Sequence, residues 1–372
     1  MIPSPLQDML DGRFDGPAFF TPEWFSRSAD QQVESPHGRL LLASCRSSDY
    51  FARQVVEQYR RFLDQAGSRA ELLFLDEIDF KFSDGETCVR LEVDVSGNDV
   101  FVFQALQDPR SGRTVDENTI SLLTAVRAMR EWGANRVTAV IPYLAYARQE
   151  KPTKFKREPT TAKLLADLLI SAGIDRVLTF DPHFDTIHGF YRHVPVNSIT
   201  SLRIFESVFK EFRQQEDLIV VAPDAGVSKL VTYFSRNLKL KSAVASKYRP
   251  QPEEAAIAEV IGDFEGKSRA LLLDDMISTG GTIYALANEL VEEKGIESIY
   301  IGVSHNLCQQ EALQRMRDLH DRGILRRLTV TNSIPQTESF SDLPFFEAVD
   351  LSEIFTHLIN RIHYNRSLAE LL

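Results

Sequence analysis

Cysteine is scarce: Cys45, Cys88 and Cys308 are the only three in 372 residues, and no two stand at a pairing distance in sequence. This excludes a disulfide framework and a zinc site and fits a reducing, cytoplasmic setting. Long apolar runs are also missing. The longest are strand-sized, so no membrane-spanning helix is expected. The first residues lack a basic start followed by an apolar core, so no signal peptide is expected. Positive charge is in deficit, with 42 Lys and Arg against 53 Asp and Glu and a net charge of −11. A general affinity for nucleic acid is thereby excluded. There is no short-period repeat and no low-complexity tract. Neither the Walker A lysine loop nor the glycine fingerprint of dinucleotide-binding folds occurs.

The length and an apolar content of 43% suit two globular domains. From Arg39 onward, strand-like and helix-like stretches alternate. The first series places strands at 40–43, 88–93, 100–104, 136–142 and 176–180, with helices at 49–65, 120–131 and 161–172. The second places strands at 218–222, 243–246, 270–273, 298–303 and 328–330, with helices near 201–212, 228–234, 282–292 and 309–319 and a last one at 352–364. Two successive βα series predict two open, mainly parallel sheets flanked by helices, a duplication of one domain type. The expected division is an extension over 1–37, a first domain over 38–196 and a second over 197–372, with the last helix packing back on the first domain. The extension is rich in proline and aromatics, Phe14, Phe19, Phe20, Trp24 and Phe25 among them, and reads either as a loosely ordered segment or as an arm that docks on the body or on another subunit.

One stretch limits the ligand. The apolar run Ala270–Leu273 ends in Asp274 and Asp275; Ser278, Thr279, Gly280, Gly281 and Thr282 follow, and then a helical pattern. Ligands of such sheets sit beyond the carboxyl ends of the strands. Carboxylates repel phosphate but accept bonds from sugar hydroxyls or hold a metal ion. Backbone N–H groups of a glycine turn at a helix N-terminus do the opposite and cradle an anion. Hydroxyls at one end and a phosphate at the other is the polarity of ribose 5-phosphate.

Five further segments carry chemistry. Lys81 to Glu86 is a turn signal holding Asp84, Gly85 and Glu86. The segment 141–150 ends a strand in Arg148, a phosphate clamp, and Gln149, a reader of base edges, followed by the basic run Lys151, Lys154, Lys156 and Arg157. Asp181-Pro-His183 follows another strand, where a lone histidine is more often a packing residue than a ligand. Pro223-Asp224-Ala-Gly226 sets a carboxylate before a helix. Lys247 and Arg249 stand two apart on an extended segment, so both point one way and could grip a polyphosphate.

In this order the segments Phe-Ser-Asp-Gly-Glu, Tyr-Ala-Arg-Gln, Asp-x-His, Pro-Asp-x-Gly and Asp-Asp-Met-Ile-x-Thr-Gly-Gly-Thr resemble the ribose-phosphate diphosphokinases, also called phosphoribosyl-pyrophosphate (PRPP) synthetases. The resemblance spans residues 39–367. It implies two phosphoribosyltransferase-like domains and transfer of the diphosphoryl group of Mg-ATP to ribose 5-phosphate, giving PRPP and AMP for nucleotide biosynthesis. It implies ATP contacts at Asp84, Gly85, Glu86, Arg148 and Gln149, and Mg²⁺ ligands at His183 and Asp224. It makes Lys247 and Arg249 catalytic, on a flexible loop, and assigns ribose 5-phosphate to Arg249, Asp274, Asp275 and Ser278 to Thr282. Homo-oligomers built from dimers, up to hexamers, are implied as well. The chain departs from the family pattern at Ser278, where Asp is common, at Val227, where a second glycine is usual, and at Phe184, Thr186 and His188. The loop over 108–118 is longer, and the arm is extra. Two other readings stay open: a nucleobase phosphoribosyltransferase, which needs one such domain and no ATP site, and a weak or inactive regulatory paralogue, which should lose the Lys247–Arg249 segment.

Overall fold

The computed structural model describes residues 35–369 apart from 36, 69, 252 and 253; the side chains of 185 and 247–258 are not described. Residues 1–34, and with them the aromatics of the expected extension, lie outside the described residues. Two compact units are present. One takes residues 35–200, 333–335 and 351–369, the other 201–332 and 336–350.

In the first unit the sheet runs β2-β1-β5-β6-β7-β8, all parallel, from β1 (Leu40–Ser44), β2 (Leu73–Leu75), β5 (Asp99–Phe103), β6 (Arg136–Ile141), β7 (Arg176–Phe180) and β8 (Val196–Ile199). Leu-Leu-Leu-Ala-Ser and Asp-Val-Phe-Val-Phe are buried at every position, as strands covered on both faces must be. The short antiparallel pair β3 (Asp79–Lys81) and β4 (Thr87–Val89) stands apart as a hairpin. It replaces the strand expected over 88–93. Helices α1 (Asp49–Gln65), α2 (Val115–Glu131) and α3 (Thr161–Ala172) cover the sheet. The expected boundary at 196/197 would cut β8, whose pairing with β7 keeps Val196–Ile199 in this unit.

The second unit begins with α4 (Leu202–Val208). Its sheet runs β11-β10-β9-β12-β13-β14-β15, parallel except for β11 against β10. The strands are β9 (Leu218–Ala222), β10 (Lys241–Gln251), β11 (Glu254–Ile261), β12 (Arg269–Ile277), β13 (Ser298–Asn306), β14 (Leu325–Thr331) and β15 (Phe346–Val349). Helices α5 (Ser228–Leu238), α6 (Gly281–Lys294), α7 (Gln310–Asp321) and the short α8 (Glu338–Ser341) connect them. Strand alternation makes two cores. Ile219, Val221, Ala270 and Leu272 face Leu286, Leu290 and Met316 of α6 and α7. Leu218, Val220, Leu271 and Leu273 face Phe205, Val231 and Phe234 of α4 and α5.

Leaving out β11, the two sheets have the same strand order. In both, the first strand has its immediate successor on one side and a later strand on the other. That reversal is the topological switch point, β1/β5 in the first unit and β9/β12 in the second.

The last helix, α9 (Ser352–His363), belongs to the first unit and packs on α1. The Phe51 and Phe355 rings meet edge-on at 5.1 Å, and the Tyr59 hydroxyl donates to Asn360 Oδ1 at 2.8 Å. Its end is tied by His363 Nδ1 to Asp99 Oδ2 at 2.8 Å, both side chains being buried. Among the described residues no helix is long and apolar enough to cross a membrane.

Candidate active site

The second unit's switch point carries the acid pair and the glycine loop. β9 pairs with β12 only as far as Val221–Leu272, whereas β13 follows β12 out to Ile277–Asn306. The acids therefore lie inside a longer strand, where the sequence had placed them at the end of a shorter one. Alternation sends Asp274 to the face of Ala270 and Leu272 and Asp275 to that of Leu271 and Leu273. Asp274 is buried, and its Oδ1 accepts a bond from the backbone N–H of Asp275 at 3.0 Å.

Ser278 and Thr279 lead to Gly280, whose φ of +74° is the left-handed conformation that glycine tolerates best. A Cβ there would lie 3.4 Å from Ala312 Cα, so the loop rests directly on α7. The first helical bond of α6 runs from the Tyr284 N–H to the Gly280 carbonyl. The N–H groups of Gly281, Thr282 and Ile283 precede it, and no side chain caps this end. An uncapped helix start, with hydroxyls at Ser278, Thr279 and Thr282, is suited to an anion.

Arg315 on α7 donates from Nη1 to the Thr279 carbonyl at 2.5 Å. A Cβ on Gly281 would lie 3.5 Å from that nitrogen. The guanidinium thus sits over the helix start, a placement that sequence reading did not find. The Tyr284 hydroxyl donates to Asp318 Oδ2 at 2.8 Å, tying α6 to α7 one turn further on. His305 is buried near the end of β13, paired with Met276 of β12.

Asp224 follows β9 on the other side of the switch point. It is half-buried, and its Oδ1 accepts from the Gly226 N–H at 2.8 Å. Val227 stands at φ −92°, open to any residue, so the loss of the usual glycine carries no backbone strain. Lys247 and Arg249 fall within β10, where the backbone forms a strand against β11 in place of an open loop. Register shifts at Ser246/Lys247 and between Tyr248 and Gln251 interrupt the ladder.

In the first unit the expected nucleotide-side residues fall on the β3–β4 hairpin and on the turns after β6 and β7. Asp84, Gly85 and Glu86 are the exposed tip of the β3–β4 hairpin. The turn is closed by Phe82 N–H to the Glu86 carbonyl at 2.9 Å and Gly85 N–H to the Phe82 carbonyl at 3.0 Å, with Gly85 at φ +96°. Asp84 Oδ1 accepts from the Glu86 N–H at 3.1 Å. Arg148 and Gln149 are exposed in a short 3-10 turn after β6. Tyr146 opens that turn at φ +62°, and its hydroxyl donates to Asp116 of α2. Burial, with that bond to Asp116 next, pushes the phenol up to about 12. The basic residues 151, 154, 156 and 157 are all exposed. His183 is exposed after β7, behind Asp181 at φ +40°.

The comparisons with known proteins agree in direction. Residues 40–173 match the N-terminal domain of ribose phosphate pyrophosphokinase, and residues 246–372 match the phosphoribosyl synthetase-associated domain. The ribose-phosphate pyrophosphokinase of Mycoplasma pneumoniae is 37% identical over 289 residues, covering 78% of this chain and 85% of that protein. That of Campylobacter jejuni is 33% identical, covering 86% of this chain and 95% of that protein. The crystal structure of phosphoribosylpyrophosphate synthetase from Mycobacterium smegmatis superposes with a TM-score of 0.75 at 30% identity, covering 88% of this chain and 99% of the other. Identity of this order over most of both chains, together with a shared fold, establishes that the chain belongs to the ribose-phosphate pyrophosphokinase family.

Proposed function

We propose that the protein transfers the diphosphoryl group of Mg-ATP to the C1 hydroxyl of ribose 5-phosphate, releasing AMP and PRPP. The observation that carries this reading is the β12–α6 cradle, whose acids suit sugar hydroxyls and whose uncapped helix start suits a phosphate. Asp274 and Asp275 accept bonds from the ribose hydroxyls, and residues Ser278 to Thr282 hold the 5-phosphate. Asp84, Gly85, Glu86, Arg148 and Gln149 bind ATP.

The C1 oxygen forms a bond to the β-phosphorus as the bond from that phosphorus to the AMP oxygen breaks. Little covalent work is left to the protein, so alignment and neutralisation of developing charge dominate. Lys247 and Arg249 supply positive charge to the transferring group. Mg²⁺ is the cofactor of this reading, with His183 and Asp224 as its protein ligands. Among the described residues no group of three or more His, Cys, Asp or Glu is gathered for a metal. The Asp224 carboxylate suits a hard cation that keeps its waters and takes most other ligands from the phosphates of the nucleotide, whereas the His183 imidazole is the weaker donor to such an ion. Bound there, it would spread the charge of the phosphate oxygens. A cytoplasmic location and a dimer-based homo-oligomer complete the proposal, both following from the family.

The test is AMP release from Mg-ATP with and without ribose 5-phosphate. Strict dependence on the sugar phosphate is expected. Lys247→Ala should lose roughly a hundred- to a thousandfold in kcat while its circular dichroism is unchanged. Near-normal turnover in that variant refutes its catalytic role, and no AMP under any condition selects the inactive paralogue.

A further inference from the structure

The shared strand order makes β5 the counterpart of β12 and α2 the counterpart of α6. The two helix starts are used in opposite ways. α6 begins at glycine with no side-chain cap. α2 begins at Thr114 with both halves of a capping box: Glu117 N–H donates to Thr114 Oγ1 at 3.2 Å, and Glu117 Oε2 accepts from the Thr114 N–H at 2.7 Å. The end that would hold an anion in one half is occupied in the other by the helix's own carboxylate.

That carboxylate has a second partner. Glu117 Oε1 accepts from the Lys81 ammonium of β3. Its neighbour Asp116 accepts from the Tyr146 hydroxyl. One turn of helix therefore grips both expected ATP-contacting segments, the hairpin tipped by residues 84–86 and the turn holding Arg148 and Gln149. The other end of β3 is fixed to the same helix. Asp79 is fully buried; its Oδ1 accepts from the Arg46 N–H at 2.6 Å, and its Oδ2 accepts from Ser121 Oγ of α2 at 2.9 Å and from the Arg113 guanidinium. Arg113 belongs to the loop that is longer than the family pattern.

We propose that the first turn of α2 is a positioning clamp: Asp116 and Glu117, backed by Asp79 and Arg113, hold the hairpin and the Tyr146–Gln149 turn in one frame so that ATP meets them pre-aligned. The low pKa of Glu117, about 2, set first by Lys81 and then by Thr114, keeps it charged at any working pH. Neither acid reaches the nucleotide in this scheme. Each acts through Lys81 or Tyr146, which hold binding residues in place. Holding them costs ATP less ordering entropy on arrival. The inference rests on the proposed ATP contacts at 84–86 and 148–149.

The test uses Lys81→Met and Tyr146→Phe, which leave the α2 cap intact, with Lys81→Arg as the conservative rescue and Arg148→Ala as the control. Binding of α,β-methylene-ATP, whose bridging carbon blocks the bond that transfer would break, is measured by titration calorimetry with Mg²⁺ present. Thermal midpoints and the KM for each substrate are measured alongside. Lys81→Met and Tyr146→Phe should each weaken analogue binding and raise the ATP KM by about two- to fivefold, the range of a part-exposed polar pair. The ribose 5-phosphate KM and the thermal midpoint should not move, and Lys81→Arg should restore binding. If Arg148→Ala weakens the analogue while both clamp variants bind normally, the clamp is wrong and the ATP assignment survives. If Arg148→Ala also binds normally, the ATP assignment fails and the clamp with it. A lowered midpoint with both KM values raised together makes the contacts merely structural and overturns the clamp.

Discussion

Replacing Arg315 by methionine tests the phosphate cradle where the tertiary structure adds most to it. The change keeps the length and apolar stem of the side chain and removes the guanidinium. Lost with it are the 2.5 Å bond to the Thr279 carbonyl and a positive charge over the start of α6. A hydrogen bond from a charged donor contributes about 1.5–3 kcal/mol when fully desolvated. Arg315 is half-exposed, so solvent screening reduces this to about 1 kcal/mol. Since about 1.4 kcal/mol is a factor of ten, the ribose 5-phosphate KM should rise about fivefold. The ATP KM should stay fixed, because in the proposed function the loop serves the sugar phosphate. Initial rates of AMP release, with each substrate varied at saturating levels of the other, give both values. The increase should shrink at high salt, as a charge effect does. An unchanged ribose 5-phosphate KM, or equal rises for both substrates, would refute the assignment of Arg315 to the cradle.

Two predictions concern stability. Burial, with Arg361 nearby as the lesser cause, holds His357 down to about 3. Its ring lies 4.9 Å from that of Phe62. Below its ordinary value of 6.5 the unfolded chain takes up a proton that the folded chain refuses, so stability falls as pH drops from about 6.5 toward about 3. The loss should approach roughly 4 kcal/mol at the acid end, and urea unfolding of His357→Gln should show a shallower slope; parallel curves for the two proteins would contradict this. Gly302 lies in mid-β13, where an added Cβ would stand 2.7 Å from Phe209 Cε2 and 2.8 Å from Leu273 Cδ2. Gly302→Ala should destabilise by about 1–3 kcal/mol through overpacking, and an unchanged urea midpoint would mean that the aromatic cluster yields freely.

Several elements were written locally. Residues 40–43, 100–103 and 218–222 are unbroken apolar runs of strand length, and the pattern over Asp49–Gln65 and Thr161–Ala172 marks two helices at their observed limits. Motif order was sufficient to reveal the family, because five short segments in one order at compatible spacing are far more specific together than any of them alone. The start of α2 was also legible in principle: Thr114-x-x-Glu117 is a capping-box pattern, but the polar turn behind it reads as loop. β2, β8, β11 and β15 escaped, being short or, in β11, part of a hairpin whose partner sets its extent. The length of β12 escaped for a related reason. Leu273 ends its apolar run, yet the strand continues to Ile277 because β13 supplies a ladder to pair with.

Apolar period, capping and turn chemistry act over a few residues. From them the sequence alone determined the two βα series, the acid pair before a glycine loop, and the family. Which cation stands over that loop, and which acids grip the hairpin and the Tyr146 turn, depended on partners far apart in the chain. Arg315 lies 36 residues from Thr279, Lys81 36 from Glu117, and Tyr146 30 from Asp116. Only helices packed in place on their sheets bring those partners within hydrogen-bond reach, so the tertiary structure alone decided how the sites are supported.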